Sequence, residues 1–271
     1  MAADDECVAL LREFGLAHCR SRRSAGVDCA VEAVLWSLPR IGNIDDVEAV
    51  SPLPQRLVAE LLGSLVLAGV VIGSGIMASR LSGGNDAIAL LANTGATAGI
   101  LFVLITALGP ISGAHFNPAV TLVMVLRGET TAGAGVFYAV VQIIGCVAGA
   151  VLAHAMFDLP LIQQSLHERS GAPQMLSEAV ATFALLLTIL LVSQSRPQAT
   201  AAAVSLVIAA GYWWTASTSF ANPAITIARS LSDTFAGIRP EDAPWFIGAQ
   251  LVGALAAMAL CGWLTAKKRV G

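Results

Sequence analysis

From residue 56 onward, long apolar stretches alternate with short polar connections, while residues 1–55 carry polar and charged positions without a comparable stretch. A bilayer core about 30 Å thick asks for roughly 20 apolar residues per helix. Six runs meet that length: Arg56 to Ser79, Ala87 to Leu108, Gly135 to Phe157, Met175 to Ser193, Ala199 to Thr218 and Trp245 to Ala266. Small residues crowd them, as at Gly63, Gly69, Gly73 and Gly75 of the first or Gly145, Ala148 and Gly149 of the third, which lets helix backbones approach closely. The pattern predicts an all-α membrane protein with a tight bundle of six transmembrane helices.

Two connections hold apolar segments too short to cross. Residues 109–128 read GPISGAHFNPAVTLVMVLRG and residues 219–231 read SFANPAITIARSL. In each, Asn-Pro-Ala opens about two and a half turns of apolar helix. Pro118 and Pro223 stand at a first helical position, where proline is welcome, and Asn117 and Asn222 at the N-cap before it. Ala119 and Ala224 complete the motifs. These are half-helix signals, and their surroundings repeat. Glu60 and Ser64 of AELLGS match Glu178 and Thr182 of SEAVAT, NPAVT matches NPAIT, and Gln142 and Gly145 match Gln250 and Gly253. Repeat one covers 56–157 and repeat two 175–266. Three helices per repeat is an odd number, so the second half enters the membrane from the opposite side, giving an inverted repeat with two re-entrant half-helices.

Two half-helices that meet near the midplane aim two N-termini, each equivalent to about half a positive charge, at one point. Cations are repelled there. Non-helical backbone at that depth survives only where it is buried in protein or lines water, so the re-entrant loops themselves argue for a wet cavity. Each asparagine can cap its helix through the amide carbonyl and donate an amide N–H to a passing oxygen. A water held by both donors cannot also accept from the next water, which interrupts a proton wire. The conduit read from these residues passes neutral molecules.

Composition narrows the alternatives. Only 12% of the 271 residues are charged and 56% are hydrophobic, against roughly 25% charged in an average soluble domain, which excludes a water-soluble globule. A formal net charge of −3 gives no basic surplus for a phosphate backbone, so nucleic acid is not an expected partner. Acids open the chain at Asp4, Asp5 and Glu6, and no cleaved signal is expected. Residues 1–55 read as a cytoplasmic arm and 267–271 as a basic cytoplasmic tail. With the N-terminus inside, eleven of the 15 Lys and Arg fall on the inner side and Arg80, Arg169, Arg229 and Arg239 outside. The charge asymmetry therefore predicts a multi-pass protein of the cell (inner) membrane with both termini in the cytoplasm. No nucleophile, base and acid constellation marks an enzyme, and no cofactor or metal is expected. His18 with Cys7, Cys19 and Cys29 could hold a soft metal, but the irregular spacing favours a solvated arm.

The paired NPA motifs, the stretch SGAHFNPAVT and the stretch YAVVQIIGCVAGA resemble the aquaporin, or major intrinsic protein, family over roughly residues 56–266. The resemblance implies a homotetramer with one pore per protomer, passing small uncharged solutes, and water as a second cargo, down their gradients without a cofactor. It also exposes a departure. Most members carry an arginine directly after the second NPA, and here that position is Ile225. Counted along the family pattern without gaps, the other members of this selectivity filter fall on Thr97, Ala210 and Ser219. None is charged or a bulky aromatic, which implies a wider constriction for glycerol, urea or neutral metalloid hydroxides. The hydrophobic replacement is similar to that in certain bacterial channels associated with arsenic resistance, which adds arsenite-type solutes.

Arg229, four residues past Ile225 on the same face, has two readings: it restores part of the missing charge from the outer vestibule, or it pairs with Asp233 or Glu241 at the surface. Glu60 and Glu178 are ionisable groups within apolar runs, expected to hold the re-entrant loops as buried props. His115 is expected to fasten its loop, and Tyr212, Trp213 and Trp214 to shape the vestibule or form an interfacial belt. The rival to a passive channel is an ion- or proton-coupled secondary transporter, which also uses inverted repeats and would place its coupling on Glu60 or Glu178.

Overall fold

The computed structural model describes residues 51–266. The arm up to residue 50, with its cysteines and His18, and the basic tail 267–271 lie outside the described residues. Eight α-helices follow: α1 Leu53–Leu81, α2 Asp86–Ser112, α3 Pro118–Leu126, α4 Ala132–Met156, α5 Ala172–Ser195, α6 Thr200–Trp214, α7 Pro223–Ser230 and α8 Ala243–Thr265, with a 3₁₀ turn Pro197–Ala199 ahead of α6.

Local chemistry sets most boundaries. Asn85 caps α2 by accepting from the N–H groups of Ala87 and Ile88, and Thr131 caps α4 through Ala134 N–H. Helix α2 runs through Pro110 to Ser112, beyond the expected stop at Leu108. Gly113 then ends it at φ 86°.

Five helices are long and apolar enough to cross a membrane: α1, α2, α4, α5 and α8. The sixth expected span is shorter than its apolar run. Helix α6 has 15 residues, about 22 Å at 1.5 Å per residue, and after Trp214 the chain leaves the helix to become the second re-entrant loop. Residues 215–218, the end of the expected span, therefore belong to loop rather than to helix.

The packing repeats across the two halves. Helix α1 packs on α4 as α5 packs on α8, and α1 on α2 as α5 on α6, while α2 against α6 and α7 against α4 join the halves. Glycine makes the closest contacts possible. A Cβ on Gly145 would overlap the Leu61 carbonyl oxygen, and one on Gly253, its counterpart in α8, would overlap that of Ala179. The bundle is also turned inside out relative to a soluble one. Glu60, Asn93, Gln142, Glu178 and Gln250 are buried, whereas Val58, Leu62, Val136, Phe137 and Trp263 are exposed. Such an arrangement is stable when lipid is the solvent.

Replacing Gly253 by valine forces its side chain into the α5 backbone and should lower stability by about 1–3 kcal/mol. The same change at Gly248, which has nothing within 4 Å of an added Cβ, should leave the thermal unfolding of the detergent-purified protein unaltered. Equal melting shifts in the two variants would contradict the packing described.

Candidate functional site

Where α2 and α6 stop, the chain must turn through the middle of the bundle without regular structure. Ala114 and Phe116 in the first loop, and Thr218, Ser219 and Ala221 in the second, all have φ between 47° and 61°. Left-handed conformations at non-glycine residues cost on the order of 1–3 kcal/mol each and persist only where the surroundings over-determine them. Two buried carboxylates do so here. Glu60 of α1 accepts from Ser112 Oγ (2.6 Å), His115 N (2.9 Å), Phe116 N (2.7 Å) and Gln142 Nε2 (2.8 Å). Glu178 of α5 accepts from Ser217 Oγ (2.6 Å), Phe220 N (2.8 Å), Ala221 N (2.9 Å) and Gln250 Nε2 (2.6 Å). The two sets are related residue by residue through the repeat.

The half-helix tips then lock to one another. Asn117 Oδ1 accepts from Ala119 N at 2.8 Å while its Nδ2 donates to the Ala221 carbonyl at 2.7 Å. Asn222 Oδ1 accepts from Ala224 N at 2.9 Å while its Nδ2 donates to the Phe116 carbonyl at 2.8 Å. Each amide thus caps its own helix and crosses to the opposite loop. A primary amide has two N–H groups, so one per asparagine is left over, and both side chains line the central cavity.

That cavity, about 280 Å³, is continuous from Glu129, Ser193 and His115 at one mouth, past Asn117 and Asn222, to Tyr212 and Arg229 at the other. Val71, Leu101, Val120, Leu185 and Ile208 give it an apolar wall. Its polar wall is largely backbone: the carbonyls of Ala114, His115, Ser219 and Phe220 meet no partner among the described residues, and all four residues line the cavity. His115 itself is held by Thr121 Oγ1 (3.1 Å) and by an edge contact with Tyr138.

At the Arg229 mouth, three of the four positions read from sequence as a filter, Thr97, Ser219 and Ile225, line the cavity. Ala210 does not. It is exposed on α6, away from the lining residues, and Ile208 and Tyr212 occupy the cavity face of that helix. The ungapped count thus falls two residues from either of these cavity-facing positions of α6. Two residues along a helix rotate a side chain by about 200°, so the error carries it to the opposite face. Tyr212 is the side chain that sequence reasoning left undecided: it is buried, and its hydroxyl lies 3.2 Å from Thr97 Oγ1. Trp213 and Trp214 are exposed.

Arg229 is buried and forms no ion pair with Asp233 or Glu241, which removes the surface-pair reading. Its Nε donates to the Ala236 carbonyl and its guanidinium carbon sits 3.3 Å from the centroid of the Phe220 ring. Arg169, which the sequence marked only as an outer charge, lies 5.0 Å from the same centroid and donates to the carbonyls of Gly237 (2.8 Å) and Ser217 (3.3 Å). Burial pulls Arg169 down to about 10, against the opposing pull of Glu178 and Tyr212, so it stays charged at neutral pH. His154, fully buried at the end of α4, ties together the loops after α4 and α7 through Leu161 O and Ser232 Oγ. A histidine within an apolar run was its only signal. No group of His, Cys, Asp and Glu able to hold a metal ion occurs among the described residues.

The sequence and the fold have relatives. The model of the family described as major intrinsic protein matches residues 48–209. The chain is 52% identical over 212 residues to aquaglyceroporin AqpS of Rhizobium meliloti (strain 1021), covering 78% of this chain and 91% of the relative. It is 29% identical over 150 residues to probable aquaporin TIP2-2 of Oryza sativa subsp. japonica, covering 55% and 60%. Among solved structures, the aquaglyceroporin from Plasmodium falciparum superposes with a TM-score of 0.58 at 20% identity, over 78% of this chain and 95% of that one. This last likeness concerns the fold.

Glu178→Gln keeps the side-chain shape but turns an N–H2 toward groups that themselves donate. It should lower stability by roughly 2–4 kcal/mol, and Glu60→Gln should do so by a similar amount because the two cradles match. Unchanged melting temperatures for both variants would show that the carboxylates do not hold the loops.

Proposed function

The chain belongs to the major intrinsic protein family, and from that premise we propose that it is a passive channel for small neutral solutes such as glycerol, with Asn117 and Asn222 as the central donors of its path. The observation that carries this reading is the crossed pair of asparagine bonds at the meeting point of α3 and α7 within one continuous cavity. Its half-identical relative in Rhizobium meliloti is named an aquaglyceroporin.

Transport follows from the arrangement of donors and acceptors. A solute hydroxyl or a water enters at either mouth and donates to the free carbonyls of Ala114 and His115 on one side or Ser219 and Phe220 on the other. At the centre only donors are offered, namely the spare N–H groups of the two asparagines, and the positive ends of two helices face the solute. An oxygen that accepts from both asparagines must point its own hydrogens outward toward both mouths. A proton cannot be handed through such a reversal, and a cation meets two like partial charges without a counter-ion. Neutral polyols satisfy the donors and carbonyls and lay their carbon edge on the apolar wall.

Ile225, Thr97, Ser219 and Tyr212 set the width and polarity of the constriction in this reading. With Ile225 apolar, the opening favours glycerol, urea and neutral metalloid hydroxides such as arsenous acid, with water as a further cargo. Coupling to an ion finds little support, because the carboxylates of Glu60 and Glu178 each already accept four hydrogen bonds. The apolar outer faces fit the further proposal of a homotetramer in the inner membrane, and the distribution of Lys and Arg supports a reading with both termini in the cytoplasm.

Proteoliposomes containing the purified protein should shrink and reswell in glycerol faster than protein-free vesicles, at a rate indifferent to imposed proton or sodium gradients. Ile225→Arg, which adds bulk and charge at the constriction, should cut glycerol flux by about tenfold or more. A flux equal to that of bare lipid, or one that follows an ion gradient, would rule out the passive channel.

A further inference from the structure

Most buried charges in this bundle are fully engaged, and Arg229 is not. Its residue is only 3% exposed, yet among the described residues just Nε has a hydrogen-bond partner, the Ala236 carbonyl. The two terminal nitrogens find no acceptor, and they are not among the sealed polar atoms lacking a partner, so what surface they retain is in the cavity that Arg229 lines. An arginine has five donors, and leaving four of them without partners in a dry site would be strongly unfavourable. The carboxylates of this region are committed elsewhere: Asp233 accepts from Leu166 N, Asp242 accepts from Arg169 N and pairs with Arg239, and Glu178 already accepts four hydrogen bonds from other groups. Arg169, on the same Phe220 ring, adds a second positive charge instead of neutralising the first.

We propose that the Arg229 guanidinium, held over Phe220 and opening into the cavity beside Thr97, Tyr212 and Ser219, is the specificity-determining group of this mouth: it binds an oxygen acceptor of the passing neutral solute and turns cations away. This deepens the channel reading and rests on it. The Nε bond and the aromatic face fix the plane of the fork, so the terminal N–H groups are preorganised for an incoming oxygen. Charge selection comes from the same side chain. A cation passing within about 7 Å of an unneutralised guanidinium at an effective dielectric near 20 is disfavoured by between about tenfold and a hundredfold.

Urea and guanidinium have nearly the same shape and differ in charge, so their entry into proteoliposomes isolates the effect. Wild-type protein should admit urea and exclude guanidinium. Arg229→Gln, verified as folded by its elution profile and melting curve, should raise guanidinium entry relative to urea by about tenfold or more. Ile225→Arg combined with Arg229→Gln returns a charge one turn deeper and should restore exclusion. If Arg229→Gln does not fold, Arg229→Lys carries the test: the charge is kept and the planar fork lost, so guanidinium stays out while urea entry slows. An unchanged guanidinium-to-urea ratio in Arg229→Gln, or guanidinium entry through Arg229→Lys, overturns the proposal. Failure of the wild type to pass urea or glycerol at all would instead overturn the channel reading beneath it.

Discussion

A bilayer offers no water to backbone N–H and C=O groups, so a chain that stops being helical halfway across must supply every partner itself. This constraint organises the protein. Two segments leave helical geometry within the bundle, and their donors are taken up by Glu60 and Glu178 while their tips are joined by Asn117 and Asn222. The backbone carbonyls that remain face the cavity. What the lipid forbids on the outside becomes the polar wall of a path on the inside.

The inner part of the site is close to two-fold symmetric, and the mouths are not. Glu60 and Glu178, Ser112 and Ser217, Phe116 and Ala221, Thr121 and Thr226, and Gln142 and Gln250 make equivalent bonds. The symmetry lapses one residue before the loop tips, where His115 stands in one repeat and Phe220 in the other. His115 leans on Tyr138, which is bound by Arg56. Phe220 instead takes two guanidiniums, those of Arg169 and Arg229. Support for the re-entrant loops is therefore shared by both halves, and discrimination is free to differ at each end.

Much of this was legible in the letters because it depends on local rules. A proline after an asparagine starts a helix and fixes its cap, so α3 and α7 were visible as half-helices. Glutamates within apolar runs at matching places implied a buried job. What escaped depends on where loops bend. Helix α6 ends at Trp214 because the chain must turn into the second re-entrant loop, and apolar composition does not register that turn. Counting along the chain likewise fell on Ala210, whereas Ile208 and Tyr212 face the cavity. Arg169 comes from a loop distant in sequence, and its approach to Phe220 follows from tertiary folding, with no spacing to betray it. Arg229 was visible as a charge on the right face, but its lack of a carboxylate partner required coordinates.

The central claim is that the crossed asparagines span a wet and continuous path. Ordered solvent seen directly in an experimental structure of the protein in lipid, at a resolution that places single waters, tests it best. The account predicts a file of waters from His115 to Arg229, with one water within hydrogen-bond distance of both Asn117 Nδ2 and Asn222 Nδ2. Side chains closing the gap, or a stretch without water between the two amides, would contradict it.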